Sequence, residues 1–144
     1  MIVRIREYGG FNPIMRNGEK FASEFSRWRA HMAAQIARQL DPARFGVAGV
    51  YLIGSAKNAT AGPASDIDLL IHVRGTAAQR HDLEAWLAAW SAHLDELNYQ
   101  QTGERTGGLL DVHLVTDEDL ARQTSFAVKI GAISDAARKL PLLE

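Results

Sequence analysis

Apolar residues follow two rhythms along this chain. Phe21, Phe25, Trp28, Met32, Ile36 and Leu40 recur at three- and four-residue steps. Such steps keep one face of a helix apolar, so a helix is predicted over residues 19–40. Asp41-Pro42 ends it, because the residue before a proline is pushed out of helical backbone. Leu83, Trp86, Leu87, Trp90, Leu94 and Leu97 make a second stripe. Thr76 and Gln79 form a capping box at its start, and Asn98 is a reasonable terminator. Three short apolar runs follow another pattern: VAGVYLI at 47–53, DIDLLIHV at 66–73 and LLDVHLV at 109–115. Each is too short for a typical helix and rich in β-formers, so each reads as a strand.

The remaining segments join these elements. Residues 2–8 alternate weakly and suit a short edge strand closed by Gly9-Gly10. Residues 11–18, with Pro13 and Asn17-Gly18, read as loop, as do 54–65 and 102–108. Thr116 and Asp119 suggest the cap of a short helix, and another short helix is expected within 125–140. No repeat, low-complexity tract or interdomain linker interrupts the chain. Helix, strand, strand, helix, strand, helix is the order of an α/β or α+β domain. The expectation is one domain over 1–144, a small mixed sheet with flanking helices and a core at 19–115.

Composition narrows the function classes. At 144 residues, 47% of them apolar and 23% charged, the chain can bury a core without covalent staples. A net charge of −1 supplies no positive field to gather nucleic acid or anionic lipid. Cysteine is absent, which removes disulfides, thiolate metal sites and cysteine nucleophiles and suits a reducing cytosol. No apolar run reaches the length of a membrane span, and MIVRIREYGG lacks the long apolar stretch of a secretory signal. A soluble cytoplasmic protein with no membrane partner is expected.

Three aspartates break the apolar pattern where a fold gains nothing from them. Asp66 and Asp68 lie two apart on a predicted strand, so both project from one face, while Ile67, Leu69 and Ile71 point the other way. Neighbouring carboxylates repel, and partial burial raises the cost. A divalent cation offsets it, and Mg²⁺ suits oxygen ligands of this kind. Asp111 repeats the anomaly between Leu110 and Val112. If its strand pairs beside 66–73, three carboxylates can bridge two metals roughly 3.5–4 Å apart, an arrangement suited to in-line displacement at phosphorus. Gly54-Ser55 closes the first strand: the glycine lets backbone approach a phosphate, and the serine adds a hydroxyl donor. A helical turn starting at Ser55 would direct free N–H groups toward the same anion.

Ile53-Gly54-Ser55, ten residues, then Asp66-Ile67-Asp68-Leu69 resembles the signature of the DNA polymerase β-like nucleotidyltransferase superfamily. Asp111 in Leu110-Asp111-Val112 matches its later carboxylate. Ser65-Asp66-Ile67-Asp68-Leu69-Leu70 is similar to the minimal members, and the resemblance spans about 47–115. It implies transfer of a nucleoside monophosphate from an NTP to an acceptor hydroxyl, with release of pyrophosphate and two Mg²⁺ or Mn²⁺ ions. By resemblance, Asp66 and Asp68 would hold both metals. Asp111 would bind one and help activate the acceptor, while Gly54 and Ser55 would hold the triphosphate. The minimal members often carry basic residues soon after Gly-Ser; here the stretch is Ala56-Lys57-Asn58-Ala59, so Lys57 alone supplies that charge. As a nucleotide-binding residue Lys57 competes evenly with a solvated loop lysine.

Other residues have blander readings. His72 and His113 share the face of the aspartate on their own strands. His113 could touch acceptor or phosphate, but local packing or hydrogen bonding is favoured for both. Trp28, Trp86 and Trp90 fit core or interface, Arg105 a solvated turn, and Arg4 and Arg6 a solvated strand face. The acceptor is left open among a protein side chain, a small molecule and an RNA end, with a partner protein or a second copy as further company. The alternative functions are a regulatory, antitoxin-like protein acting through protein contact, and a nucleotide sensor.

Overall fold

The computed structural model describes residues 18–124, 126–132 and 135–143. The edge strand expected at 2–8, residues 11–17 of the loop expected at 11–18 and the side chain of Phe21 lie outside the described residues, and Gly18 opens α1. In chain order the elements are α1 (Gly18–Gln39), α2 (Pro42–Phe45), β1 (Val47–Ile53), α3 (Gly54–Asn58), β2 (Ile67–Val73), α4 (Ala77–Thr102), β3 (Leu110–Val115), α5 (Asp117–Arg122), a 3-10 turn (Ala127–Lys129) and β4 (Arg138–Leu140). The strands form one mixed sheet in the order β3-β2-β1-β4. β1 runs antiparallel to β2 and β4, and β3 runs parallel to β2. This is the small mixed sheet with flanking helices that the pattern predicts.

Parity along the strands separates two packed layers. Val50, Leu52, Ile67, Leu69, Ile71 and Val73 join Trp28, Ile36 and Leu40 of α1 and Leu83, Leu87 and Leu94 of α4 in the main core. The opposite face carries a smaller cluster, Ile53, Leu70, Val115 and Ala127, flanked by Leu120, Ile130 and Ala137 of the C-terminal segment. α1 and α4 therefore back the sheet, and the segment after β3 covers part of its other face.

Several local expectations are corrected. Asp41 does stop α1, and its carboxylate then caps α2 by accepting from the Arg44 amide at 3.2 Å, with Pro42 at the first helical positions. Residues 54–58 wind a helical turn instead of loop, from Gly54 at φ 74° to a left-handed Ala59. The capping box of Thr76 and Gln79 forms as predicted, but Asn98 does not end α4. Its side chain is buried and bonded to tertiary partners, so it does not compete for its own backbone, and the helix continues to a left-handed Gly103. The region 125–140 holds the 3-10 turn and β4, a short edge strand that carried no periodic signal. Among the described residues no helix is long and apolar enough to cross a membrane.

Candidate active and metal site

Register brings the acids together. β2 and β3 pair so that Asp68 stands directly beside Asp111 and Leu70 beside His113. Asp66 lies one residue ahead of β2, at the end of the loop that follows α3. Side chains of Asp68, Asp111 and His113 offer ligand atoms that all lie within 4.8 Å of one another. His113 Nε2 is 3.4 Å from Asp111 Oδ2, and Phe126 stacks on the imidazole at 3.9 Å between centroids and 17° between planes. Asp66 stands outside this group of three but within its field.

The electrostatics are those of acids whose burial and mutual repulsion outweigh the basic groups near them. Burial pushes the Asp68 carboxyl up to about 6; a hydrogen bond shared with Asp111 and the charges of Asp111 and Asp66 push the same way, against His113. Asp66 is also raised, first by burial and then by Asp111, while Arg29 opposes the shift. A divalent ion held between these carboxylates would stabilise their charged forms against burial and mutual repulsion, and their oxygen donors suit one.

Gly54 shows why a glycine precedes the first helical turn. Its φ of 74° disfavours a side chain, and a Cβ there would collide with Asp68 Oδ2. The end of β1 and the start of α3 are thereby drawn against the carboxylate, with Ser55 next in the chain. Lys57 is placed differently. Its ammonium donates to Asp135 Oδ1 at 3.0 Å and to the Ala136 carbonyl at 2.8 Å, and only 12% of its side chain is exposed. Lys57 hydrogen bonds, first, then Lys129 and Asn58 hold the Asp135 carboxyl below its usual range. Arg138 adds a bond to the Lys57 carbonyl at 3.0 Å, so α3 is tied to the C-terminal segment.

Two buried polar networks position the acid-bearing loops. Arg29 is fully buried in α1; its Nε donates to the Ser65 carbonyl at 2.9 Å and its Nη2 to the Pro63 carbonyl at 3.2 Å and Asn98 Oδ1 at 2.9 Å. Burial lowers its pKa to about 10, which leaves it charged at neutral pH beside Asp66. Asn98 returns a bond to Pro63 and another to Glu104. On the β3 side, Asp95 accepts from the Thr106 amide and hydroxyl at 2.8 and 2.9 Å, and Ser91 Oγ accepts from the Leu110 amide at 3.0 Å. α1 thus braces the approach to Asp66, and α4 braces the approach to Asp111.

Some of this was readable. Arg29 lies four residues from both Phe25 and Ala33, inside the inner stripe of α1, and a charge there is itself a signal. Phe126 offered none, since its stacking depends on how the C-terminal segment returns. His72 bonds locally, to Asp117 Oδ1 at 2.6 Å, and Arg105 pairs with Glu96 over the Tyr99 ring. Trp28 is core, and Trp86 and Trp90 pack at its margin.

A family profile describing a nucleotidyltransferase domain matches residues 32–133. That stretch runs from within α1 past the 3-10 turn and contains the whole acid cluster. The chain belongs to the nucleotidyltransferase domain family, as its motif spacing implied. No curated protein and no solved structure matches it.

Proposed function

We propose that this protein transfers a nucleoside monophosphate from an NTP to an acceptor hydroxyl and releases pyrophosphate, using Mg²⁺ or Mn²⁺. The observation that carries the reading is the register pairing of Asp68 with Asp111, with Gly54 drawn against Asp68. Asp66, Asp68 and Asp111 are the proposed metal ligands and catalytic residues, for two ions. Bound divalent metal would neutralise triphosphate charge and make the acceptor hydroxyl a better nucleophile. Gly54 lets backbone approach the triphosphate, and Ser55 offers it a hydroxyl. Lys57 is the nearest basic residue on α3, and a triphosphate would have to draw its ammonium from Asp135. The acceptor oxygen bonds to the α-phosphorus as the bond to the bridging oxygen breaks; Asp111 takes up the hydroxyl proton, and pyrophosphate leaves.

The acceptor is a protein side chain, a small molecule or an RNA end, and a near-neutral net charge weakly disfavours long nucleic acid. Incubation with α-labelled NTPs, Mg²⁺ or Mn²⁺ and each acceptor class tests the reading. Label transferred by the native protein and lost in Asp66→Asn and Asp68→Asn supports it. Tight NTP binding with no transfer to any acceptor would instead identify a nucleotide sensor. Protein that captures a partner with neither metal nor NTP would identify a regulatory, antitoxin-like role.

A further inference from the structure

We infer that His113 supplies a nitrogen ligand to the metal site and tilts its preference from Mg²⁺ toward a first-row transition ion such as Mn²⁺. The inference rests on the metal-site part of the proposed function and adds a residue outside the three-aspartate set.

The two histidines on this sheet face differ in how they are spent. His72 Nε2 is 2.6 Å from Asp117 Oδ1, a short, closed hydrogen bond. His113 Nε2 stands 3.4 Å from Asp111 Oδ2, too far for a bond of that kind. Two donors each about 2.1 Å from one ion, at right angles, lie about 3 Å apart. The His113–Asp111 spacing is close to that value, and Asp68 is near enough to both to complete a three-donor set. Small side-chain rotations would close the group.

Phe126 restricts those rotations to useful ones. Its ring stacks nearly parallel on the imidazole, which limits tipping of the imidazole plane. A ligand held by packing loses less freedom on binding. The chemistry of a mixed donor set then decides the metal. Mg²⁺ is hard, prefers oxygen and gives up water reluctantly. Imidazole is a borderline donor whose affinity rises along the first transition row. Replacing one water of a carboxylate site with His113 would add little for Mg²⁺ and more for Mn²⁺ or Co²⁺.

Calorimetric titration of the full chain with MnCl₂ and MgCl₂, alone and with a non-hydrolysable NTP, provides the test. The quantity read is the ratio of the two dissociation constants, since Mn²⁺ binds most carboxylate sites somewhat more tightly. His113→Gln is expected to reduce that preference about tenfold, mainly by weakening Mn²⁺. His113→Asp, which puts an anionic oxygen donor in place of the nitrogen, is expected to keep Mg²⁺ binding at least at the native level without the Mn²⁺ preference. Cobalt absorbance gives an independent check, because losing a nitrogen ligand shifts the Co²⁺ bands in His113→Gln. An unchanged metal ratio and unchanged Co²⁺ spectrum in His113→Gln, with Asp68→Asn abolishing binding of both ions, would overturn the His113 assignment and leave the proposed function standing. Failure of the native protein to bind either ion, with or without nucleotide, would overturn both.

Discussion

Asp95 of α4 and Asp68 of β2 are both acids drawn away from water, and they are treated in opposite ways. At Asp95 burial pushes the carboxyl up, but hydrogen bonds from the Thr106 amide and hydroxyl and the Gly107 amide outweigh it, leaving the pKa below its usual value. At Asp68 burial acts in the same direction, and the hydrogen bond and charge of Asp111 and the charge of Asp66 add to it and outweigh His113, so the pKa rises to about 6. Asp95 is satisfied from within the chain and needs nothing more. Asp68 is left with a deficit that the proposed metal ion would offset. Net perturbation and its sign, more than burial, distinguish an acid that holds the fold from one kept for a ligand.

The sharpest way to break the contrast is Asp68→Asn. Nucleotidyl transfer, measured with labelled NTP, is expected to fall at least about 10³-fold while the variant stays folded. An Asn variant that retained a tenth of native transfer would remove Asp68 from the machinery. Next in size is Arg29→Leu, which strips donors from the Ser65 and Pro63 carbonyls and Asn98 Oδ1. Urea unfolding is expected to register a loss of about 3 kcal/mol, because several buried acceptors are left unpaired. Metal affinity of the fraction that remains folded should also drop, since Arg29 braces the loop carrying Asp66.

Asp95→Ala tests the other side of the comparison. It is expected to cost about 2 kcal/mol in the same unfolding measurement and to leave bound-metal stoichiometry unchanged. A destabilisation accompanied by loss of the metal site would mean that the two regions are not separable.

The smallest expected effect is a pH dependence. Asp68 has a folded pKa near 6 and an ordinary value near 3.8. The native state therefore holds that proton more tightly than the unfolded chain, and stability is lost as pH rises from about 4 through 6. Without metal, Asp68→Asn should exceed the native protein in stability by about 1 kcal/mol at pH 7.5, a figure discounted for partial exposure of the site. The difference should shrink toward pH 5. Added Mn²⁺ should raise the melting temperature of the native protein and leave the variant almost unmoved. A gap that widened as the pH fell would contradict the assigned cause.

How much was legible follows from the range of the interactions involved. α1, α4, β1, β2 and β3 all announce themselves by periodicity, because burial against a common core selects apolar residues at fixed steps. The polar exceptions to that periodicity pointed to Asp66, Asp68 and Asp111, and their distance from Gly54-Ser55 pointed to the family. Asn98 misled because a polar residue near a helix end is most often a terminator. Here a buried arginine 69 positions away in sequence absorbed its side chain. β4 was invisible because three residues at an edge need neither alternation nor bulk.

By itself, then, the sequence determined the layered α/β class, the main core and the identity of the three acids, since local steric and burial preferences write these into residue order. Only the tertiary structure decided that β3 pairs in parallel with β2 so that Asp68 meets Asp111, that His113 turns its imidazole toward them beneath Phe126, and that Lys57 is held by Asp135. Those outcomes depend on register and on the return of a distant segment, where each contact is one of many the same residues could have made. Selection among them comes from packing the whole chain at once.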